Sequence, residues 1–485
     1  MKMNKYIFLG FVALTLSCNE AIDIEQVGRL GAEAAFQDVT DLESGILGSY
    51  NQFDYTPSIQ WASNFTDEIA IGPDNGGQGQ AVYSGIVNAG SAVTSALWQN
   101  YYDALNSVNR VIEAAALIEP EEADLDAYNN VLGEAYALRA WALFELWSYY
   151  TTDYTDGSAL SALLVNFVPE TSTQLPRATS AEFVTQINDD LTTAAGLLTV
   201  DSSPTRVSQD FVTALRARVA LYTEDYATAD AAAASLLESY MISDLDQFEG
   251  MWDDSDNTEV IFKLERAVGD PYDGQGATGS AFAGGWAGAN YAFVNPTVDG
   301  SPYFVVSSAL FALMEEGDIR REVYIDESAA PDFEVLPVGK YPGSGGQPLL
   351  NDLKIFRASE MLMIRAEVAA ANNQFGQVGT YINQLRGARG ASTTVSVATQ
   401  TTAFAAILNE RRIEFAFEGH RYRDIKRLAA KADFVISRPQ DECATFANCT
   451  IDPEGNDDGF KFTLPIPLFE LDANPAITNQ NPGYE

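Results

Sequence analysis

The stretch Asn409–Arg427, with the sequence NERRIEFAFEGHRYRDIKR, carries a dense alternation of acidic and basic residues. The bases stand mostly three or four positions from the acids; they are Arg411, Arg412, Arg421, Arg423 and Arg427 against Glu410, Glu414, Glu418 and Asp424. Side chains at these spacings face each other on a helix, and an arginine fork can hold a carboxylate through two parallel hydrogen bonds. The pattern therefore predicts a charged network that orders a helix junction or the core.

His420, the single histidine of the chain, lies inside this stretch. A Ser-His-Asp arrangement would have to use it, but no nucleophile pattern accompanies it. A packed or surface histidine is the favoured interpretation. One histidine also excludes metal sites that need several, such as HExxH.

Apolar residues recur at helical spacing over most of the remaining chain. They predict helices over Asp41–Phe53, Ala92–Ile118, Asp124–Tyr150, Ser180–Leu198, Gln209–Tyr222, Tyr226–Ser239, Ala358–Asn372 and Phe375–Leu385. The last four form two pairs, each joined by a short turn and each with alanines that allow close packing. These pairs resemble tetratricopeptide helix pairs, although generic helix hairpins would leave the same pattern.

Two loop-rich stretches interrupt the helices, and loops commonly carry binding residues. The first follows a predicted strand, Glu259–Leu264, and runs from Gly269 to Gly300 with many glycines, asparagines and aromatic residues. Its first-rank ligand candidates are Trp286, Tyr291 and Tyr272. The second runs from Ile71 to Gly90, and the second-rank candidates in and before it are Trp61, Asn64, Asp74 and Tyr83. Trp98 and Trp141 lie on strongly periodic helices and are predicted to be core.

The N-terminus has the pattern of a secretory signal. Lys2 and Lys5 precede a short apolar stretch that ends at Ser17 and Cys18, too short to span a bilayer, which takes about 20 residues. The cysteine resembles a bacterial lipobox cysteine, with Thr15 where leucine is expected, and an ordinary secreted protein is the alternative. Residues 1–17 are thus predicted to be a signal peptide, 18–40 a tether lipidated at Cys18, and 41–485 one folded unit.

Cys443 and Cys449 stand six residues apart in a polar stretch. Outside the cytoplasm such a spacing favours a local disulfide that closes a surface loop. The acidic segment Asp452–Asp458 has oxygen ligands suited to calcium but lacks the glycine and terminal glutamate of an EF-hand. A solvated loop is favoured, and no cofactor is predicted.

Several sequence motifs, found in the expected order along the chain, resemble those of one protein family. Asn409–Arg427 resembles a signature of the SusD/RagB family of outer-membrane nutrient-uptake lipoproteins. The C-terminal LPIP at Leu464–Pro467 and QNPGY at Gln480–Tyr484 resemble the closing motif of that family. Leu175–Thr179 and Phe356–Glu367 fit as well, and the acidic residues after Cys18 resemble the export tag of Bacteroidetes lipoproteins.

The resemblance implies a mainly α fold: a single large unit with tetratricopeptide-like helix pairs, long irregular loops and a few short strands. It also implies a non-catalytic lipoprotein on the outside of the outer membrane. Such proteins capture glycans or peptides for a SusC-like TonB-dependent transporter, their partner.

Composition limits the ligands. The chain has 68 acidic and 28 basic residues among 485, a formal net charge of −40. That charge repels phosphate backbones and anionic lipid surfaces and disfavours polyanionic ligands. Three hypotheses stay open: a glycan-binding lipoprotein, which is the leading one; the same architecture binding peptides; and a glycoside hydrolase with two carboxylates. Aromatic rings that stack on sugar faces favour the first.

Overall fold

The architecture is mainly α-helical, and the described residues also form four two-stranded sheets between the helices. The computed structural model describes residues 35–73, 75–267, 302–326, 335–344, 347–348, 350–443 and 449–485. The helices described are α1 Val39–Tyr50, α2 Thr56–Phe65, α3 Gln80–Tyr83, α4 Ala92–Ala115, α5 Leu125–Tyr150, α6 Ser180–Leu197, α7 Gln209–Tyr222, α8 Tyr226–Leu236, α9 Leu245–Trp252, α10 Ser308–Phe311, α11 Ile319–Tyr324, α12 Ala358–Ala371, α13 Phe375–Ala388, α14 Gln400–Glu414, α15 Arg421–Ala432, α16 Gln440–Cys443 and α17 Leu468–Ala473. The strands described are β1 Ile69–Ile71, β2 Val260–Leu264, β3 Phe304–Val306, β4 Gly343–Ser344, β5 Gln347–Pro348, β6 Leu353–Arg357, β7 Ile436–Ser437 and β8 Thr450–Ile451.

The predicted helices are confirmed, with small differences at their ends. Helix α6 begins at Ser180, as predicted, and its N-cap is Thr179. Thr179 and Glu182 form a reciprocal capping box, so two backbone N–H groups of the first turn are satisfied. The predicted strand at Glu259–Leu264 is β2, one residue shorter than expected, and it pairs antiparallel with β6.

The two predicted helix pairs are present and lie beside each other. Helix α7 packs against α8, and α12 against α13, while α8 also contacts α12. Ala214, Ala217 and Ala366 are fully buried where these helices approach, because their small side chains permit close helix contacts. The pairs therefore form one stacked scaffold.

Long helix α5 runs through the core. Its second half is buried on all sides, and the Trp141 ring stacks on Phe53 with a 4.6 Å centroid distance. Trp98 on α4 packs edge-on against Tyr150. The core placement predicted for both tryptophans is confirmed. None of the helices in the described ranges has the length and apolarity that crossing a membrane requires.

Candidate functional site

The charged stretch forms a helix, a bend and a second helix. Helix α14 ends at Glu414 and α15 begins at Arg421. Between them Phe417 and Gly419 have positive φ angles of 64° and 81°. The bend interrupts the helical register, so most of the charges do not pair locally; the pairing predicted along one helix is wrong. Asp424 and Arg427 are the pair that keeps the three-residue spacing.

Glu414 instead lies at the centre of a buried ion network, which we call the interior network. Its carboxylate accepts hydrogen bonds from Arg389 at 2.8 and 3.1 Å, from Arg357 at 3.0 Å and from Arg320 at 3.3 Å. The network joins Arg320, Lys340, Arg357, Arg386 and Arg389 to Glu259, Glu315, Asp318, Glu410, Glu414 and Glu418. Although burial opposes ionisation, Arg389 and Arg357 hold the pKa of Glu414 well below its usual value. The network predicted to order the core is therefore present, but between distant segments.

A second buried group of charges, Asp67 with Arg412 and Arg421, connects the residues just before β1 to the charged stretch. Asp67 accepts two hydrogen bonds from Arg421 at 2.8 and 2.9 Å and forms an ion pair with Arg412 at 3.3 Å. Although burial opposes ionisation, these cations lower the pKa of Asp67. The next residue, Glu68, accepts a hydrogen bond from the Ser63 hydroxyl at 2.8 Å, and burial raises its pKa to about 7.

His420 is packed and does not line a cleft. Its ring lies 4.8 Å from the Phe415 ring centroid, and Nδ1 lies 3.4 Å from Arg411 Nη2. Burial first, and the neighbouring guanidinium groups second, lower its pKa well below the usual value. A neutral, enclosed imidazole among arginines is a core residue, so the packed placement is the correct one of the two that the sequence leaves open.

The start of the second loop-rich stretch lies beside residues 302–306, which follow the first stretch in the sequence. Strand β1, which leads into the second stretch, pairs antiparallel with β3, which follows the first stretch. Asn75 is buried there and uses all its amide hydrogen-bonding capacity: Nδ2 donates to the carbonyls of Tyr303 and Gln78, and Oδ1 accepts from the Gly77 N–H and from Gln80 Nε2. The start of the second stretch and residues 302–304 are thus held together.

Close backbone contact at this junction requires glycine. Gly72 N–H donates to the Tyr303 carbonyl at 2.9 Å, and a Cβ at position 72 would lie 2.4 Å from the Pro302 carbonyl oxygen. No other residue fits such an approach without moving the backbone. We call the segments 72–80 and 302–304 the loop junction.

Three second-rank ligand candidates are buried, and their prediction as ligand contacts is wrong. Trp61 is stacked on Phe65 with a 4.8 Å centroid distance and is fully buried. Asn64 lies on the same helix and is 2% exposed. Tyr83 packs its ring under the Arg438 guanidinium at 4.1 Å, and burial raises its pKa to about 12. Helix α2, which carries Trp61 and Asn64, packs against α15 and against α3, which carries Tyr83.

The other candidates lie outside the described residues. These are Tyr272, Trp286, Tyr291, Asp74 and the predicted lipidation site Cys18. The predicted disulfide between Cys443 and Cys449 is present. Beside the bridge, Glu442 accepts a hydrogen bond from the Ser308 backbone N–H at 2.7 Å, so the residue before Cys443 is bonded to the chain just after strand β3.

A cleft of about 270 Å³ opens between helix α4, the loop 163–175 and helix α17. We call it the C-terminal cleft. The side chains of interest in its lining are Trp98, Tyr102, Phe469, Asp103, Glu170 and Glu470. The sequence did not indicate it, because its walls come from three distant segments and α17 has only six residues. In the structure, Leu468 and Phe469 at the start of α17 are apolar residues that are 50% and 41% exposed.

A second cleft, of about 300 Å³, lies at the end of β2 and includes Tyr50, Arg206 and Ala267 in its lining. Arg206 is held there by two hydrogen bonds to Glu134, at 2.7 and 2.8 Å. Within the described ranges, no three histidine, cysteine, aspartate or glutamate side chains are grouped to hold a metal ion.

Two family models match this chain. Residues 342–484 match the model described as the SusD family, and residues 45–221 match one described as "Starch-binding associating with outer membrane". Together they cover both the long helices and the charged stretch. The chain belongs to the SusD family.

Relatives of this SusD-family chain extend over nearly its whole length. "SusD-like protein P38" of Formosa agariphila is 26% identical, with 88% of this chain and 92% of that protein covered. Among solved structures, a SusD superfamily protein of Bacteroides thetaiotaomicron has a TM-score of 0.77 at 22% identity, covering 92% of this chain and all of the other. A putative sugar binding protein of Bacteroides vulgatus has a TM-score of 0.76 at 21% identity, covering 93% of this chain and 100% of the other. At these identities the solved structures establish the shared fold.

Proposed function

We propose that this protein is a cell-surface lipoprotein that binds oligosaccharides and delivers them to a SusC-like TonB-dependent outer-membrane transporter. The observation that carries the proposal is membership of a family with a model described as starch-binding and associating with the outer membrane. A structural relative described as a sugar binding protein supports the same ligand class. The protein acts by binding and leaves the glycosidic bonds intact.

The loop junction supports a glycan site formed by the two loop-rich stretches. Asn75 and Gly72 fix the second stretch to the residues that follow the first. Tyr272, Trp286 and Tyr291 belong to that first stretch, and their rings are our candidates for stacking on the apolar faces of sugar rings.

The lipid anchor is part of the proposal. Cys18 follows a signal-like segment, and several acyl chains on this residue would give stable membrane attachment, at about 0.8 kcal/mol per buried methylene. Cell fractionation of a Cys18→Ser variant tests it: we expect release of the protein from the membrane fraction, and retention there would refute the anchor.

Binding of labelled neutral polysaccharides tests the ligand site. Trp286→Ala and Tyr291→Ala are each expected to lower affinity about tenfold, a loss of about 1.4 kcal/mol. Tyr381→Ala on helix α13 is the matched control, because Tyr381 packs under Arg365 on the helix-pair scaffold. Equal losses in control and site variants, or binding of peptides in place of glycans, would refute the proposal. Recovery of shortened polysaccharide would identify a hydrolase.

A further inference from the structure

The C-terminal cleft has fixed walls. The Tyr102 hydroxyl donates to the Leu163 carbonyl at 2.7 Å and accepts from the Leu163 N–H at 2.8 Å. On the other side, Asn474 Nδ2 donates to the Leu175 carbonyl at 2.9 Å and to Glu470 at 3.3 Å. The loop 163–175 is therefore bonded to α4 at one end and to the end of α17 at the other. The cleft is a formed concavity and needs no rearrangement to exist.

Aromatic rings line this cleft at two depths. Trp98 and Tyr102 pack together with a 4.7 Å centroid distance, and Trp98 is almost completely buried, which places it at the floor. Phe469 on α17 is 41% exposed at the opening. An exposed ring beside a concavity offers a flat apolar face to a ligand, and a volume of about 270 Å³ lies near the small end of ligand pockets.

The charged groups in the described lining of the cleft are all acidic. Asp103, Glu170 and Glu470 line it, and no lysine or arginine is among its lining residues in the described part of the chain. Burial raises the pKa of Asp103 above its usual value. The nearby guanidinium of Arg177 is engaged elsewhere, since it donates to the Ser161 carbonyl and to Asn481 Oδ1 at 2.6 Å each.

This combination selects a ligand by charge and shape. Carboxylates without a cationic partner attract a positive group, and a protonated amine can donate up to three hydrogen bonds to them. An aromatic face accepts the C–H face of a sugar ring and is also favourable to a cation. Carboxylates also accept hydrogen bonds from sugar hydroxyls, whereas a sulfate or carboxylate on the ligand would be repelled.

We propose that the C-terminal cleft is a second saccharide site, and that it takes a sugar unit that carries a protonated amino group. The small concave shape favours one or two sugar rings over a protein surface. This cleft is lined by other residues than the loop junction, so the proposal can be tested independently of the glycan site proposed there.

Calorimetric titration of the full chain in detergent tests this proposal at 0.15 M salt, where exposed charges are largely screened beyond about 8 Å. The probes are a glucosamine hexamer, an N-acetylglucosamine hexamer, which has no amine charge, and hexalysine. We expect the glucosamine hexamer to bind at least about tenfold more tightly than the acetylated one and than hexalysine.

Two triple variants with the same change in charge distinguish the contribution of the cleft carboxylates to affinity from that of the overall negative charge of the protein. The cleft variant is Asp103→Asn, Glu170→Gln and Glu470→Gln, and the surface variant is Glu119→Gln, Glu121→Gln and Glu122→Gln, on the exposed α4–α5 connection. The cleft variant is expected to lose at least about tenfold in affinity for the glucosamine hexamer, and the surface variant less than about twofold. Glu470→Gln alone keeps an acceptor for Asn474 and serves if the triple variant misfolds.

Phe469→Ala distinguishes binding of a saccharide, which stacks on the ring, from binding of a cation by charge alone. We expect it to weaken the glucosamine hexamer about fivefold or more, because ring stacking is lost. Equal losses in the two triple variants, equal binding of the acetylated hexamer, or hexalysine binding as tight as that of the glucosamine hexamer would each overturn the proposal. The last result would assign the cleft to a basic protein segment.

Discussion

The interior network and the C-terminal cleft use the same carboxylate groups in opposite ways. In the interior, Glu414 has three arginines around it and a pKa well below its usual value. In the cleft, Asp103 has no cation among the described lining residues, and burial raises its pKa. A paired buried carboxylate fixes structure, while an unpaired one at a concave surface is left free for a ligand. In a chain with so many acidic residues, the candidate binding carboxylates are identified by the lack of a cationic partner at a concave surface, and not by how many acids are present.

The largest expected effect comes from breaking the interior network. Glu414→Ala removes the carboxylate that Arg320, Arg357 and Arg389 share and leaves their charges buried with fewer partners. We expect the free energy of unfolding to fall by about 4 kcal/mol or more, measured by urea denaturation. Glu316→Ala, on an exposed residue two positions before Asp318, is the control and should change it by less than about 0.5 kcal/mol. Similar values for both variants would contradict the role of the network.

The next effect concerns a buried carboxylate that lacks such pairing. Burial raises the pKa of Glu68 to about 7, so between about pH 4.5 and 7 the folded state keeps a proton that the unfolded state releases. The free energy of unfolding therefore falls as pH rises through this range and levels off above it. Arg421 and Lys340 oppose this shift, and Asp67 adds to it.

Glu68→Gln removes this loss of stability at high pH, because the amide is not ionised and can still accept a hydrogen bond. We expect the variant to be more stable than the parent by about 3 kcal/mol at pH 8 and nearly equal at pH 4, from urea denaturation at both pH values. Asp67→Asn is the contrasting variant: the lowered pKa of Asp67 stabilises the fold fully above about pH 4, and this stabilisation is lost progressively as the pH falls further. A Glu68→Gln variant with the same pH profile as the parent would contradict the assignment.

The smallest effect is expected in the cleft itself. The triple variant Asp103→Asn, Glu170→Gln and Glu470→Gln removes charges that have no cationic partner in the described lining. The free energy of unfolding should change by less than about 0.5 kcal/mol at 0.15 M salt and rise slightly at low salt, because repulsion is relieved. A loss above about 1 kcal/mol would show that these carboxylates hold the cleft walls, and the comparison would fail.

Local patterns were sufficient to predict the helices, because amphipathic periodicity and capping are properties of adjacent residues. The long helices α4 and α5 and the two helix pairs follow directly from them. The pairing of charges could not be predicted in this way. Asp67 binds Arg421 across 354 positions of sequence, and a three-residue spacing carries no information about so distant a partner.

The candidate site was predicted only in part. Trp61 was placed among ligand residues because it precedes a loop-rich stretch, yet its helix packs its ring against Phe65 and Tyr422. In contrast, exposed Phe469 lies in a six-residue helix, and so short an element has no periodicity from which exposure can be read. Whether an aromatic ring is core or platform depends on tertiary packing, which the sequence pattern does not contain.

The pairing of Asp67 with Arg412 and Arg421 also constrains the order of folding. These residues are separated by about 350 positions, so the N-terminal helices must wait for almost the entire chain before this carboxylate is neutralised. Contacts at such separation form late, since the intervening chain must first be brought together. A chain that ends before residue 412 lacks both arginines and leaves the Asp67 carboxylate without these two partners.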